Sequence, residues 1–121
     1  MLIRVDAAKD RPIYVQIADS VRADIAAGRL VTGERLPPAG EIAAGLGVNK
    51  HTVLHAYQSL RDEGLIELRR GRGAAVTEAA AAIAELHHQA QALAARAVEL
   101  GVAPDLLAAI VSHAHHEEAG S

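Results

Sequence analysis

"VNKHTVLHAYQSL", Val48 to Leu60, carries two patterns within one helix-length segment. Val53, Ala56, Tyr57 and Leu60 recur at the three- and four-residue spacing that lines up one face of an α-helix. Just before them, Asn49, Lys50, His51 and Thr52 are all polar. Asn49 is a favourable N-cap, and Val48 is placed to pack on Val53 as a hydrophobic staple. Gly64 suits the C-terminal stop. With positions 53, 56, 57 and 60 turned to a core, Lys50, His51, Leu54, His55 and Gln58 face mostly elsewhere. The polar turn is therefore either a solvated helix start or a surface aimed at a partner, and the flanking segments decide which.

Upstream, "RPIYVQIADSVRADIAAGRL" opens at Pro12, whose missing N–H suits a helix start. Ile13, Ile17, Val21 and Ile25 recur every four residues, Ala18 widens the stripe and Gly28 suits a left-handed cap, so a helix is predicted over about 12–27. "VTGERLPP" reads as a turn and a short extended piece, because Gly33 breaks and each proline disfavours helix at the residue before it. "AGEIAAGLG" makes a short second helix with Ile42, Ala43 and Leu46 on one side, stopped by Gly47. Neither Ala39 nor Gly40 offers a capping oxygen, so its start rests on Pro38. Downstream, "LIELRRGRGAAV" predicts strands over 65–69 and 74–76 around a tight turn. Its tip is basic, with Arg69, Arg70 and Arg72 beside Gly71 and Gly73, which let the backbone approach a partner closely.

From Glu78 the composition shifts to alanine-rich helix. Ile83, Leu86, Ala90, Leu93, Ala97 and Leu100 are spaced 3-4-3-4-3, a seam long enough to pair with another helix but short for an independent coiled coil. After Gly101, "GVAPDLLAAIVSHAHHEE" restarts at Pro104 and Asp105, with Leu106, Leu107, Ile110 and Val111 as a second apolar face. Two such helices need a partner, most simply a second copy of the chain, and Ile83, Leu86, Leu93, Leu100, Leu107 and Ile110 are the expected dimerisation residues. The alternative is a seam folded back on its own domain. The expected division is a domain over 1–77 and a helical tail over 78–121, with no internal repeat or low-complexity linker.

The 121 residues are half hydrophobic, enough for one small domain with an appendage and too apolar for disorder. The absence of cysteine excludes disulfides and thiolate metal sites and fits a reducing compartment. No apolar run reaches the roughly 18 to 20 residues of a membrane span, and "MLIRVDAAKD" lacks a signal-peptide core, so a soluble cytoplasmic protein is expected. The formal charge of −3 is unevenly spread: residues 1–77 hold 11 Lys and Arg against 9 Asp and Glu, whereas residues 78–121 hold 1 against 6. Any anionic partner therefore belongs to the first part. Tyr14 and Tyr57 are the only aromatics apart from histidine, too few for a platform that stacks single-stranded bases.

Three helices followed by a hairpin with a basic tip is the element order of a winged helix-turn-helix, mainly α with a small β-hairpin wing. In that architecture the third helix enters the major groove N-terminus first. Lys50 suits phosphate or guanine, His51, Thr52 and His55 suit phosphate or bases, and the helix N-terminus, capped by Asn49, favours an anion. Arg70 and Arg72 suit phosphates or a narrow minor groove, with Arg69 beside them at the basic tip and Gly71 allowing close contact.

Residues 12–76, through "PIYVQIADSVRADIAAGRLVTGERLP", "EIAAGLGV", "TVLHAYQSLRDEGLI" and "RGRGAAV", resemble the DNA-binding domain of the GntR family of bacterial transcription regulators. The short tail ending in "ELGVAPDLLAAIV" is similar to the YtrA-like subgroup. The resemblance implies that the tail serves dimerisation and that neighbouring transporter genes are the targets. It also implies DNA contact at Lys50, His51 and Thr52 and at Arg70 and Gly71 on the wing. Two positions depart from the family: Gly40 stands where arginine is usual and Leu54 where a basic residue is common, so neither is assigned to DNA, and Arg35 is the candidate for a compensating contact.

The expected function is transcriptional regulation, as a homodimeric repressor on a double-stranded, pseudo-palindromic operator, with half-site centres about one helical turn, roughly 34 to 36 Å, apart or a multiple of it. No cofactor and no membrane partner are expected, and neither operator nor effector is legible. No catalytic pattern appears, and "RGRG" lacks the lysine and hydroxyl residue of a phosphate-cradling loop. Two alternatives stay open. His113, His116 and Glu117 are candidate zinc or nickel ligands of a metal-responsive regulator, against a plain polar C-terminus. Gly40, Leu54 and the acidic net charge fit a protein-interaction module that has lost DNA binding.

Overall fold

A computed structural model describes residues 3–6, 8–70 and 73–120. In chain order the elements are α1 (Ile13–Ala26), β1 (Arg35–Leu36), α2 (Ala39–Leu46), α3 (Lys50–Asp62), β2 (Ile66–Arg69), β3 (Gly73–Val76), α4 (Ala79–Leu100) and α5 (Pro104–Ala119). Contacts divide the chain into two units, residues 1–85 and 86–121. The composition shift at residue 78 precedes this division by the first turns of α4, where Ala80 is buried and Ala79 and Ile83 pack partly against the core of the first unit.

That core is built from the stripes the spacing marks. α1 contributes Ile17, Ala18, Val21 and Ile25, α2 contributes Ile42 and Ala43, and α3 contributes Val53, Ala56, Tyr57 and Leu60. Leu36, Leu65, Ile66, Ala74 and Val76 close it from the sheet side. α1 starts after Pro12 and is capped at its C-terminal end by Ala27. The Asp24 carbonyl there accepts the N–H groups of Arg29 and Leu30, and the buried Asp24 carboxylate holds Arg29 Nε at 2.7 Å. The α2 start has no side-chain cap, and Gly47 ends the helix at φ 68°, a conformation that disfavours a Cβ. The chain thereby turns directly into α3.

Gln16 ties down the N-terminal segment. Its buried side chain accepts the Asp6 N–H at 2.6 Å and donates to the carbonyls of Asp6 and Arg11 at 3.0 and 2.9 Å, so backbone groups outside any helix or strand are paired. Ile3 and Val5 pack against the core beside it.

The sheet has one strand more than the expected hairpin. Its order is β1-β3-β2, antiparallel throughout, with Arg35 opposite Ala75 and Leu36 opposite Ala74 on one side of β3, and Glu67 opposite Ala75 and Arg69 opposite Gly73 on the other. The Gly33 N–H donates to the Val76 carbonyl at 2.8 Å and the Val76 N–H to the Glu34 carbonyl at 2.9 Å. Pro37 ends the pairing because it brings no backbone donor.

In the second unit the C-terminal part of α4 is joined to α5 by the turn at Gly101–Ala103. The turn is closed by the Val102 N–H on the Ala97 carbonyl at 2.9 Å. Ala97 is the buried hydrophobic residue of this unit among those described, and α5 buries none.

Candidate nucleic-acid interface

α3 seats its apolar face and leaves its first turn outside. The Asn49 side-chain oxygen accepts the His51 N–H at 2.8 Å, which fixes where the helix begins. Lys50 and His51 are exposed and Thr52 is half-buried. The first turn has no acidic residue, so nothing on the helix itself offsets the positive end of its dipole, and an anion is favoured there.

Two bonds anchor α3. The Tyr57 hydroxyl donates to the Pro37 carbonyl at 2.5 Å, joining α3 to the segment before α2. Burial, and after it the Glu41 carboxylate, push this hydroxyl above the usual tyrosine range, so it keeps its proton and remains a donor. At the other end, Arg22 of α1 pairs with Glu63 just past α3 and with Asp19 on its own helix. These contacts set the angle at which the polar turn is presented.

Leu54, which departs from the family pattern, is half-buried and packs partly against the core. It therefore supports α3 more than it decorates the surface. His55 is exposed, but its ring is stacked on Tyr14 of α1, with centroids 3.7 Å apart and planes 12° from parallel.

The wing residues separate. Arg69 is paired with Glu67 at 3.2 Å, because alternate residues of a strand share a face. Arg70 is exposed. Gly71 and Arg72 lie outside the described residues. Arg35, the candidate for a contact compensating for Gly40, is exposed on β1, across Ala75 from Glu67. Arg35, Glu67 and Arg69 line one open concavity of about 740 Å3 with Thr32, Thr77 and Glu78. The structure thus groups Arg35 with the wing. Gly40 is exposed on α2, with open space where a Cβ would stand.

In the second unit Leu86, Leu93, Leu100, Leu106, Ile110 and Val111 are exposed, Leu107 is half-buried, and an apolar groove of about 580 Å3 runs past Leu93, Leu107 and Val111. Ile83, assigned from its spacing to the same seam, packs instead against its own domain, since the first turns of α4 cover the core there. Among the described residues, no three His, Asp or Glu side chains come together as metal ligands. His113 pairs with Glu117 one turn on at 2.7 Å, while the His116 ring lies edge-on to His115. No described helix is long and apolar enough to cross a membrane.

The profile of the gntR family of bacterial regulatory proteins matches residues 13–76, from the start of α1 to the end of β3, more than half of the chain. The chain belongs to the GntR family. Within GntR proteins its likeness extends to YtrA-like members. The transcriptional repressor YtrA of Bacillus subtilis is 37% identical over 77 residues, covering 64% of this chain and 59% of that one. The solved structure of YtrA from Sulfolobus acidocaldarius, a GntR-family transcription factor, is 43% identical with a TM-score of 0.59, covering 64% of this chain and 81% of that one. A GntR family transcriptional regulator from Listeria monocytogenes is 27% identical with a TM-score of 0.61, covering 90% and 98%. The chain spans less than two thirds of the length of the curated relatives it matches.

Two participants escaped the sequence reading. Glu67 was detectable, because it stands two residues before Arg69 on a strand. Tyr14 gave no local signal, since its partner His55 is 41 positions away.

Proposed function

We propose that this GntR-family chain is a DNA-binding transcription regulator that acts as a homodimer, most simply a repressor, on a pseudo-palindromic operator. The observation that carries this is the seating of α3: its apolar face is locked into the core while the N-cap turn leaves Asn49, Lys50 and His51 exposed and Thr52 half-buried, with no acidic side chain among them. A helix so held enters a major groove N-terminus first, with Lys50, His51 and Thr52 on base edges and phosphates. The basic wing, with Arg70 at its described end, reaches the adjacent backbone, and Arg35 contributes from β1. DNA as the target implies work in the cytoplasm, without enzymatic chemistry.

The tail supports the dimer. A helix pair that buries so little and exposes seven large apolar side chains is not stable alone in water. A second copy, packed against Leu86, Leu93, Leu100, Leu107 and Ile110, covers that surface symmetrically. The domain division follows, with the winged helix to about residue 77 and the tail beyond.

Selection of bound sequences from random duplex DNA tests the function directly. The expected product is an inverted repeat whose half-sites lie one helical turn, or a multiple, apart. Lys50→Ala weakens binding to that sequence by about tenfold, in line with about 1–3 kcal/mol for a good base contact. Failure to enrich any sequence at low salt overturns the proposal.

A further inference from the structure

Within the proposed DNA-reading function, we infer that Tyr14 of α1 is a positioning residue for His55, holding its ring in the plane from which its nitrogens reach DNA. Tyr14 lies in the first turn of α1, half-buried and packed partly against the core. His55 lies one turn beyond His51 on the exposed side of α3. Their rings stack face to face at 3.7 Å and 12°.

Such a stack covers one face of the imidazole and leaves its edge open. Both ring nitrogens lie in that edge, and neither has a hydrogen-bond partner among the described residues. An exposed histidine otherwise samples several rotamers and loses that freedom on binding. Here the phenol ring supplies the order in advance, and the folded core holds the phenol. The arrangement divides the labour between helices: α3 supplies the group that touches DNA, and α1 sets its plane. The Tyr14 hydroxyl plays no part in this division, which separates positioning from direct contact.

The test uses the full chain and the sequence selected from random duplex DNA, with affinity read by fluorescence anisotropy and folding by thermal melting. Tyr14→Leu keeps apolar bulk but removes the ring, and weakens binding by about three- to tenfold, the scale of one side chain that must now be ordered on binding. Tyr14→Phe restores affinity to within about twofold of the original, since it keeps the stacking face. Tyr14→Leu adds nothing further in a His55→Ala background, because the two residues act as one unit. In the free protein, proton NMR shows the His55 ring protons shielded by the neighbouring ring, and the shielding is lost in Tyr14→Leu.

Additive losses for Tyr14→Leu and His55→Ala overturn the inference, as does unchanged binding in His55→Ala. A loss in Tyr14→Phe equal to that in Tyr14→Leu also overturns it, since the hydroxyl is then the contact. If the original protein enriches no DNA at all, the function fails and the inference with it. That outcome is distinct from the others, because in each of those the parent chain still binds.

Discussion

Glu67→Gln should tighten operator binding and steepen its salt dependence. Glu67 holds Arg69 at 3.2 Å on the outer face of the wing, and both side chains are more than half exposed. At that exposure the pair contributes only about 0–1 kcal/mol to folding, so its loss costs little stability. Its effect on DNA is larger, because a carboxylate beside the phosphate backbone both repels it and occupies a guanidinium that would otherwise neutralise it. Freeing Arg69 for one phosphate adds about 0.9 to the slope of log affinity against log salt. Extrapolated from 1 M to 0.15 M salt, that slope corresponds to roughly fivefold tighter binding. Fluorescence anisotropy with the selected operator, between about 0.05 and 0.4 M salt, measures both quantities. An unchanged slope with weaker binding would refute the reasoning, since Glu67 would then be holding Arg69 in the orientation that DNA requires.

Tyr57→Phe removes the bond to the Pro37 carbonyl and lowers stability by about 0.5–1.5 kcal/mol at neutral pH, measured by urea denaturation. Because the Tyr57 hydroxyl is raised above its ordinary value of 10.0, its contribution is complete below about pH 10 and fades as the pH climbs beyond it, so Tyr57→Phe should show a flatter alkaline stability profile. Gly45→Ala, on an exposed position of α2 with open space at the Cβ site, should raise stability by about 0.5–1 kcal/mol in the same assay. Leu93→Glu with Ile110→Glu places charge on the exposed tail face and should convert a dimer to a monomer in analytical ultracentrifugation, with the winged helix still melting cooperatively.

What was legible in the sequence was local. The spacing of Val53, Ala56, Tyr57 and Leu60 set the rotation of α3, and Asn49 marked its start, because capping and periodicity act within a turn or two of chain. Helix ends at Gly47 and Gly64 were visible for the same reason. The short extended piece in "VTGERLPP" was visible too, but its pairing as β1 was not, since two residues show no alternation and the partner strand lies beyond two helices. The site was harder than the fold. Exposure of Lys50 and His51 followed from helix rotation, but the Tyr14–His55 stack depends on how α1 meets α3. Ile83 obeys the heptad spacing of the tail and still packs elsewhere, because spacing identifies an apolar face without saying what it meets.

The two-residue strand β1 also has a kinetic meaning. Arg35 pairs with Ala75, so this edge of the sheet closes a loop that contains all of α2, α3 and β2. Closing so long a loop costs chain entropy that two residues of pairing do not repay, and the edge must form after the helices have docked. The order reverses on unfolding: loosening the helices opens this edge. Backbone amide exchange at Val76, whose N–H is held by Glu34, should therefore report the integrity of the helical core as well as that of the wing.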